Sequence, residues 1–298
     1  MIPFDPRPDR PLALEPGVRL VLAPNPSPMT ERGTNTWLLG TGAVTVLDPG
    51  PDDPAHLRAI LAALDPGERV DRILVSHAHL DHSPAARPLA RATGASVLAF
   101  GDAGAGRSAR MAGLEGLGGG EGVDAAFAPD TRLPDGAALH LGGEALVAIH
   151  TPGHLGNHLC FLWGDRLFSG DTVMGWAPSL VSPPEGDLTD FMASLDRLEA
   201  LGPTRLFPGH GAPVPDGVAR IRALRDHRRG REGAILAALG PDRTPLAALV
   251  ARVYADTPPQ MHPAAARNLL AHLIDLHHRG LAALDLRGPG GPHASRPA

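Results

Sequence analysis

The 298-residue sequence predicts an α/β protein in which two runs of strands are interleaved with helices, followed by a small helical appendage. Three observations carry this reading. Short aliphatic and β-branched runs bounded by Gly and Pro recur from Val18 to Phe207, as strands and their turns do. Segments with apolar residues at helical spacing fall between those runs. After about residue 227 the pattern becomes helical, with one short strand-like run near the end.

Taken in order, residues 18–23, 36–39 and 43–47 read as strands, with Gly40-Thr41-Gly42 turning between the last two and Asp48-Pro49-Gly50 ending the run. Leu57, Ile60, Leu61 and Leu64 give 54–64 one apolar helical face. Ile73, Leu74 and Val75 form the next strand. It stops at Ser76-His77-Ala78-His79-Leu80-Asp81-His82, and Pro84 with residues 85–91 opens a helix. Residues 95–100 read as another strand. Residues 101–129, rich in Gly and Ala, are expected to be an irregular surface insertion with one short helix, a lid over the site being the other reading. Strands return over 137–141, 145–150, 158–163 and 166–169.

Phe191, Leu195 and Leu198 give 188–201 its apolar helical face, and 204–207 is a short strand. Residues 218–238 form a helix whose Arg220, Arg222, Arg225, Arg228, Arg229 and Arg231 read as a basic, solvated face. Helices over 245–254 and 263–279, separated by Thr257-Pro258-Pro259, and a strand over 281–286 make up the appendage. Residues 288–298, rich in Gly and Pro, are expected to be a flexible tail. The expected division is therefore 1–227, 228–287 and 288–298.

At 43% hydrophobic the chain can fill a large core. No apolar leader or membrane-length stretch is visible, so a cytoplasmic protein without membrane contact is expected. The lone Cys160 reads as a small hydrophobe in a strand and fits a reducing compartment. A net charge of −5 argues against a protein built around nucleic acid. Residues 228–287 nonetheless carry eight Arg against five Asp and Glu, with no Lys in the chain, which permits a local RNA contact.

The chemistry concentrates after the strand at 73–75. His77 and His79 can converge on one metal, while Asp81 and His82 point to a second position beside it; imidazole and carboxylate suit zinc and similar cations. Three later candidates each follow an expected strand beside Gly: His154 in Thr-Pro-Gly-His, Asp171 in Phe-Ser-Gly-Asp-Thr and His210 in Phe-Pro-Gly-His-Gly. Glycine permits the sharp turn and close backbone approach that such a presentation needs. His272, His277 and His278 have no carboxylate at ligand spacing and read as structural.

On these motifs, from about Asn25 to about Pro215, the chain resembles the metallo-β-lactamase superfamily of dinuclear metallohydrolases. The resemblance implies a four-layer αββα sandwich. It also implies that His77, His79 and His154 hold a first metal, that Asp81, His82 and His210 hold a second, and that Asp171 bridges them. Asp48 and Ser76 would support the ligands from behind. The expected cofactor is two Zn2+ per chain, with Mn or Fe as alternatives. Two metals roughly 3.5–4 Å apart can hold a bridging hydroxide and polarise the scissile group. Asp81 is the expected catalytic carboxylate, orienting the water or taking its proton.

Within the superfamily, residues 25–38 (Asn-Pro-Ser-Pro-Met-Thr-Glu-Arg-Gly-Thr-Asn-Thr-Trp-Leu) are similar to the opening of the lactamase-β-like endoribonucleases and related bacterial hydrolases. The appendage resembles the small winged-helix-like unit of those relatives. Two substrate classes follow: a small ester or acyl thioester, as in hydroxyacylglutathione hydrolases, and single-stranded RNA. Net acidity and scarce aromatics lean towards the small ester-like substrate, whereas the opening motif and appendage lean towards RNA. A true β-lactamase is disfavoured because those enzymes lack the bridging carboxylate that Asp171 would supply. A non-enzymatic binding module would show a damaged ligand set, and none of the set is missing.

Overall fold

The computed structural model describes residues 4–114, 116–120, 122–288 and 290–297. Residues 1–3, 115, 121, 289 and 298 lie outside the described residues, and with them single positions of the expected hydrolase domain, of the 101–129 insertion and of the 288–298 tail. Seven strands form one sheet in sequence order: β1 (Leu12–Glu15), β2 (Val18–Leu22), β3 (Asn35–Leu39), β4 (Ala43–Leu47), β5 (Arg69–Leu74), β6 (Ser96–Ala99) and β7 (Thr131–Arg132). The pairs from β1 to β4 are antiparallel, and those from β4 to β7 are parallel. A second sheet runs β12-β11-β10-β9-β8, with β8 (Ala138–Leu141), β9 (Glu144–His150), β10 (Leu159–Trp163), β11 (Arg166–Gly170) and β12 (Arg205–Pro208).

Strand alternation sorts the apolar residues into three layers of core. Leu20, Trp37, Leu39, Leu47 and Leu74 face Leu159, Phe161, Trp163, Phe168 and Phe207 between the two sheets. Trp37 meets Phe168 and Phe207 edge-on, with ring centroids 5.8 and 5.4 Å apart, and such pairs add about 0.5–1.5 kcal/mol beyond burial. The opposite residues of the first sheet, Val21, Leu38, Val46 and Ile73, pack against α1 (Pro54–Ala62) and α2 (Ala86–Thr93) through Ile60 and Leu89. On the outer face of the second sheet, Cys160, Leu167 and Leu206 pack against α4 (Leu188–Leu201) and α5 (Gly217–Ala238) through Phe191, Leu195, Ile221 and Leu224. The result is the expected αββα sandwich.

Local chemistry fixes the helix starts. Asp53 accepts the amides of Ala55 and His56 ahead of Pro54, and Asp187 and Asp216 cap α4 and α5 in the same manner. Between β6 and β7 the insertion contains the one short helix expected of it, α3 (Ala109–Ala112).

The appendage has its own core of Ile235, Leu239, Leu249, Val253, Leu269, Leu273 and Leu276. It comprises the end of α5, α6 (Leu246–Val253), α7 (His262–His278) and a small sheet of β13 (Thr244–Pro245), β14 (Ala283–Asp285) and β15 (His293–Ser295), ordered β13-β15-β14. Three expectations are corrected here. The stretch read as a flexible tail supplies β15, the central strand, because its backbone pairs with β13 on one side and β14 on the other. The boundary expected at 227/228 falls inside the continuous helix α5. The basic face of that helix is also not simply solvated. Arg228 is 3% exposed and donates to Asn268 Oδ1 and to the Ser179 carbonyl, while Arg220 donates to the carbonyls of Met174 and Ala177.

Candidate metal centre

The seven candidate ligands, drawn from four separate segments, meet at the same end of the sandwich. His77, His79, Asp81 and His82 follow β5, His154 follows β9, Asp171 follows β11 and His210 follows β12. Three groups of them place one donor atom each within 4.8 Å of one another: His77 with His79 and His154, Asp81 with His82 and His210, and His77 with His82 and Asp171. His79 Nδ1 lies 2.9 Å from His77 Nε2 and 3.1 Å from His154 Nε2. In the second group, His210 Nε2 is 3.3 Å from His82 Nε2 and 3.1 Å from Asp81 Oδ2. Asp171 stands between the groups, its oxygens 3.7 Å from His154 Nε2, 3.4 Å from His210 Nε2 and 3.5 Å from His82 Nε2.

The outward ring nitrogens settle what the inward ones are. His154 Nδ1 donates to the Leu180 carbonyl at 2.6 Å, His210 Nδ1 to the Gly33 carbonyl at 3.1 Å and His82 Nδ1 to Asp48 Oδ2 at 3.1 Å. Ser76 Oγ donates to Asp48 Oδ2 at 2.7 Å, so His77 Nδ1 donates to Ser76 Oγ at 2.9 Å. In the neutral rings each inward Nε2 is then a bare lone pair, and these lone pairs face one another and two carboxylates. Protons on His82 and His210 relieve part of that arrangement, and cations placed among the lone pairs relieve it as a whole. A tetrahedral metal with nitrogens at about 2.0–2.1 Å leaves those nitrogens about 3.3 Å apart, close to the spacings found. Asp171 Oδ1, buried and without a hydrogen-bond partner among the described residues, is a further open donor. The residues fit a metal pair.

Electrostatics divides the two groups. Burial holds His77, His79 and His154 below the ordinary histidine range, His79 at about 3, so these rings are neutral and ready to donate a lone pair. Burial works against charge on His82 and His210 as well, but the carboxylates of Asp81 and Asp171 outweigh it, raising His82 well above its usual value and His210 to about 10. Asp81 and Asp171 resist burial too, because His82 and His210 hold both carboxyls well below the usual range.

Asp48 links the two groups from behind. One oxygen takes Ser76 N at 2.7 Å, and the other takes Ser76 Oγ and His82 Nδ1, so a single carboxylate steadies His82 directly and His77 through Ser76. It does so from a left-handed backbone, φ 53°, which Asp tolerates better than most residues. The opening motif also reaches the site. Asn25 Oδ1 accepts Thr34 N, Thr34 Oγ1 donates to Asp81 Oδ2 at 3.3 Å, and Asn35 Nδ2 donates to the carbonyls of Pro208 and Gly211 on either side of His210. Gly209 has no room for a side chain, since a Cβ there would lie 2.5 Å from Asp171 Oδ1 and 2.8 Å from His82 Cε1.

One buried residue of the site carries no motif. His158, the residue before β10, stands with its ring 4.9 Å from that of His77, accepts the Asp171 amide on Nε2 and meets Thr151 and Thr172 on Nδ1. It positions Asp171 through the backbone. Its signal in the sequence is only a polar residue opening an apolar strand. His272, His277 and His278 lie in the appendage, outside the three ligand groups.

A cavity of about 380 Å³ opens onto His79, Asp81, His154, Asp171 and His210. The insertion forms part of its wall: Leu80 N donates to the Gly122 carbonyl, Asp124 N to the Ala78 carbonyl, and Gly120, Gly122 and Val123 line the opening. The insertion, read from sequence as irregular, thus supplies part of the cavity wall. The appendage holds this segment in place, because Arg267 of α7 donates to the carbonyls of Leu117 and Gly118 and to Ser182 Oγ.

Comparison with known proteins agrees with this arrangement. The family model of the metallo-beta-lactamase superfamily matches residues 29–210, and that of the beta-lactamase associated winged helix domain matches residues 246–285. The chain is 31% identical over 278 residues to the beta-lactamase-like protein 2 homolog of Drosophila melanogaster, covering 87% of each chain. It is 31% identical over 237 residues to the atrochrysone carboxyl ACP thioesterase of Aspergillus fumigatus, spanning 76% of this chain and 66% of that protein. A beta-lactamase domain protein from Burkholderia ambifaria, 24% identical, shares the fold over 99% of this chain and 96% of its own with a TM-score of 0.82. Ligand motifs, sandwich and appendage thus lead to one conclusion, that the chain belongs to the metallo-beta-lactamase superfamily and is a metal-dependent hydrolase with an associated winged helix domain.

Proposed function

We propose that this hydrolase cleaves acyl thioesters with a pair of zinc ions. His77, His79 and His154 would hold one ion, Asp81, His82 and His210 the other, with Asp171 between them. When bound, such a pair lowers the pKa of water and polarises a carbonyl oxygen. Asp81 faces the cavity with its side chain 27% exposed and is fixed by Thr34, which suits it to orient the water and take its proton. The water oxygen bonds to the acyl carbon, the C–S bond breaks, and the sulfur leaves as a thiolate that takes up a proton. A thiol of pKa about 8.5 leaves without strong acid assistance. That matches a cavity whose only acid outside the ligand set, among the described lining residues, is Glu185, which lies against Arg107 at 3.4 Å.

The observation that favours a thioester over RNA is the occupation of the appendage arginines. Of the eight arginines in residues 228–287, Arg228 is buried on Asn268 and Ser179, and Arg231 is held by the Val253 carbonyl and Asp256. Arg267 clamps the insertion, and Arg279 pairs with Glu232 and Asp275. Arg243 pairs with Asp285, while Arg229, Arg252 and Arg287 make no such side-chain contact among the described residues. The A. fumigatus relative named as a thioesterase points the same way. The test incubates zinc-reconstituted protein with acyl thioesters of N-acetylcysteamine and, separately, with single-stranded RNA. Thiol release that requires metal is expected. RNA cleavage without thiol release would overturn the proposal.

A further inference from the structure

Beside the metal cavity lies a second chamber of about 200 Å³, between the loop after β11 and the helices of the appendage. The two share Met29, Met174 and Leu180, so they adjoin, with the candidate metal ligands on the far side of the first. The second chamber is largely apolar, with Trp176 on the core side and Ala264, Ala265 and Met261 on the appendage side. Of the five large hydrophobic side chains exposed on the described surface, Met29, Leu80 and Trp176 stand around the two cavities, although exposure is costly for each. One wall is charged. Arg228 lies buried there with no acidic partner among the described residues, its Nε unpaired, and Tyr254 beside it makes no side-chain hydrogen bond.

We infer that this second chamber receives the acyl part of the substrate, and that the acyl group it fits is apolar along its length and carries an oxygen near its far end. The inference rests on the thioester reading and deepens it. With the scissile carbonyl at the ligand groups, the two arms of a thioester must diverge. The sulfur arm of a carrier is rich in amides and needs polar partners, which the Met, Ala and Trp walls lack. The acyl arm loses water at those walls, so each methylene buried there favours binding. An uncompensated guanidinium behind an apolar wall favours an electron-rich oxygen close to it. Selectivity would therefore be built jointly by the core and the appendage, which explains why Ala264 and Ala265 are small where α7 faces the second chamber.

The experiment uses full-length, zinc-loaded protein and non-hydrolysable thioether ketones of N-acetylcysteamine with chains of two, six and eight carbons, read by the fluorescence of Trp176, which is 39% exposed. Binding is expected to tighten at least tenfold from two to six carbons. A keto oxygen on the far carbon should tighten it further. Ala264→Phe, which fills the chamber, should weaken the six-carbon probe at least tenfold more than the two-carbon probe. If that variant does not fold, Met261→Ala enlarges the same space and should move the preferred length towards eight carbons. Length-independent binding, or a penalty for the far oxygen, overturns the inference. Turnover of the matching thioesters is measured in parallel. Hydrolysis with no length preference would overturn the chamber and leave the thioester reading standing, whereas length-dependent binding without hydrolysis would do the reverse.

Discussion

Replacing Asp48 with Asn should weaken both ions of the proposed pair together, although Asp48 is not among the residues that would hold them. The carboxylate accepts three donors, Ser76 N and Ser76 Oγ at 2.7 Å each and His82 Nδ1 at 3.1 Å, and is 1% exposed. Asparagine keeps the volume and tolerates the left-handed φ of 53°. It offers one acceptor oxygen where two were used, so at least one donor must face an amide N–H. Hydrogen bonds to a charged group are worth about 1.5–3 kcal/mol and neutral ones about 0.5–1.5, so each surviving bond also weakens. Supporting groups of this kind typically contribute about 10–100-fold to metal affinity, or about 1.4–2.8 kcal/mol. Both dissociation constants, measured by competition with a colorimetric zinc chelator, are expected to rise by such a factor in Asp48→Asn. Ser76→Ala severs only the path to His77 and should weaken one site alone. Unchanged affinities in Asp48→Asn, or an effect confined to one site as in Ser76→Ala, would refute the reasoning.

Other consequences can be checked independently. Asp81→Asn should lower kcat by at least a hundredfold with the Tm of the metal-saturated protein almost unchanged, because the side chain faces the cavity rather than the core. Arg267→Ala should free the carbonyls of Leu117 and Gly118, and hydrogen exchange over 116–124 should rise about tenfold or more while α4 stays protected. His56 is buried, and burial lowers its pKa from 6.5 to about 4. The unfolded chain therefore binds the proton first, and stability present above pH 6.5 is lost as the pH falls towards 4. Denaturant titrations at pH 7 and 4.5 should show about 2–3 kcal/mol more loss in the parent protein than in His56→Gln.

The candidate site was legible in the sequence wherever a candidate ligand sits next to glycine at the end of an apolar run, because the same local features build the strand, stop it and expose the side chain. That is why His154, Asp171 and His210 stand out despite lying far from His77. His158 does not, since its work is done through the Asp171 amide and two threonine hydroxyls, a relation visible only once β10 and β11 are paired. Short edge strands escaped for a related reason. β1, β7 and β13 have two to four residues each, too few to show a period, and are held by their neighbours. β15 escaped because its residues, His293–Ser295, have little strand character of their own and gain it from the partners on both sides. The basic helix misled because charge alone does not tell a solvated arginine from one that hydrogen-bonds inside the protein.

Helix α5 runs for 22 residues, about 33 Å, from the outer face of the sandwich into the middle of the appendage core. A junction made this way is a girder and not a hinge. Its Ile221 and Leu224 belong to one core and its Ile235 to another, so the helix cannot be cut anywhere along its length without opening an apolar face on one side. Exchange of the appendage between relatives would then succeed only when the helical phase is preserved. One residue added to α5 would turn everything beyond it by about 100° and carry Arg267 away from the loop it holds. Insertions of seven residues, close to two full turns, would restore the angle but still move the appendage by about 10 Å along the helix axis, so the length of α5 matters as much as its phase.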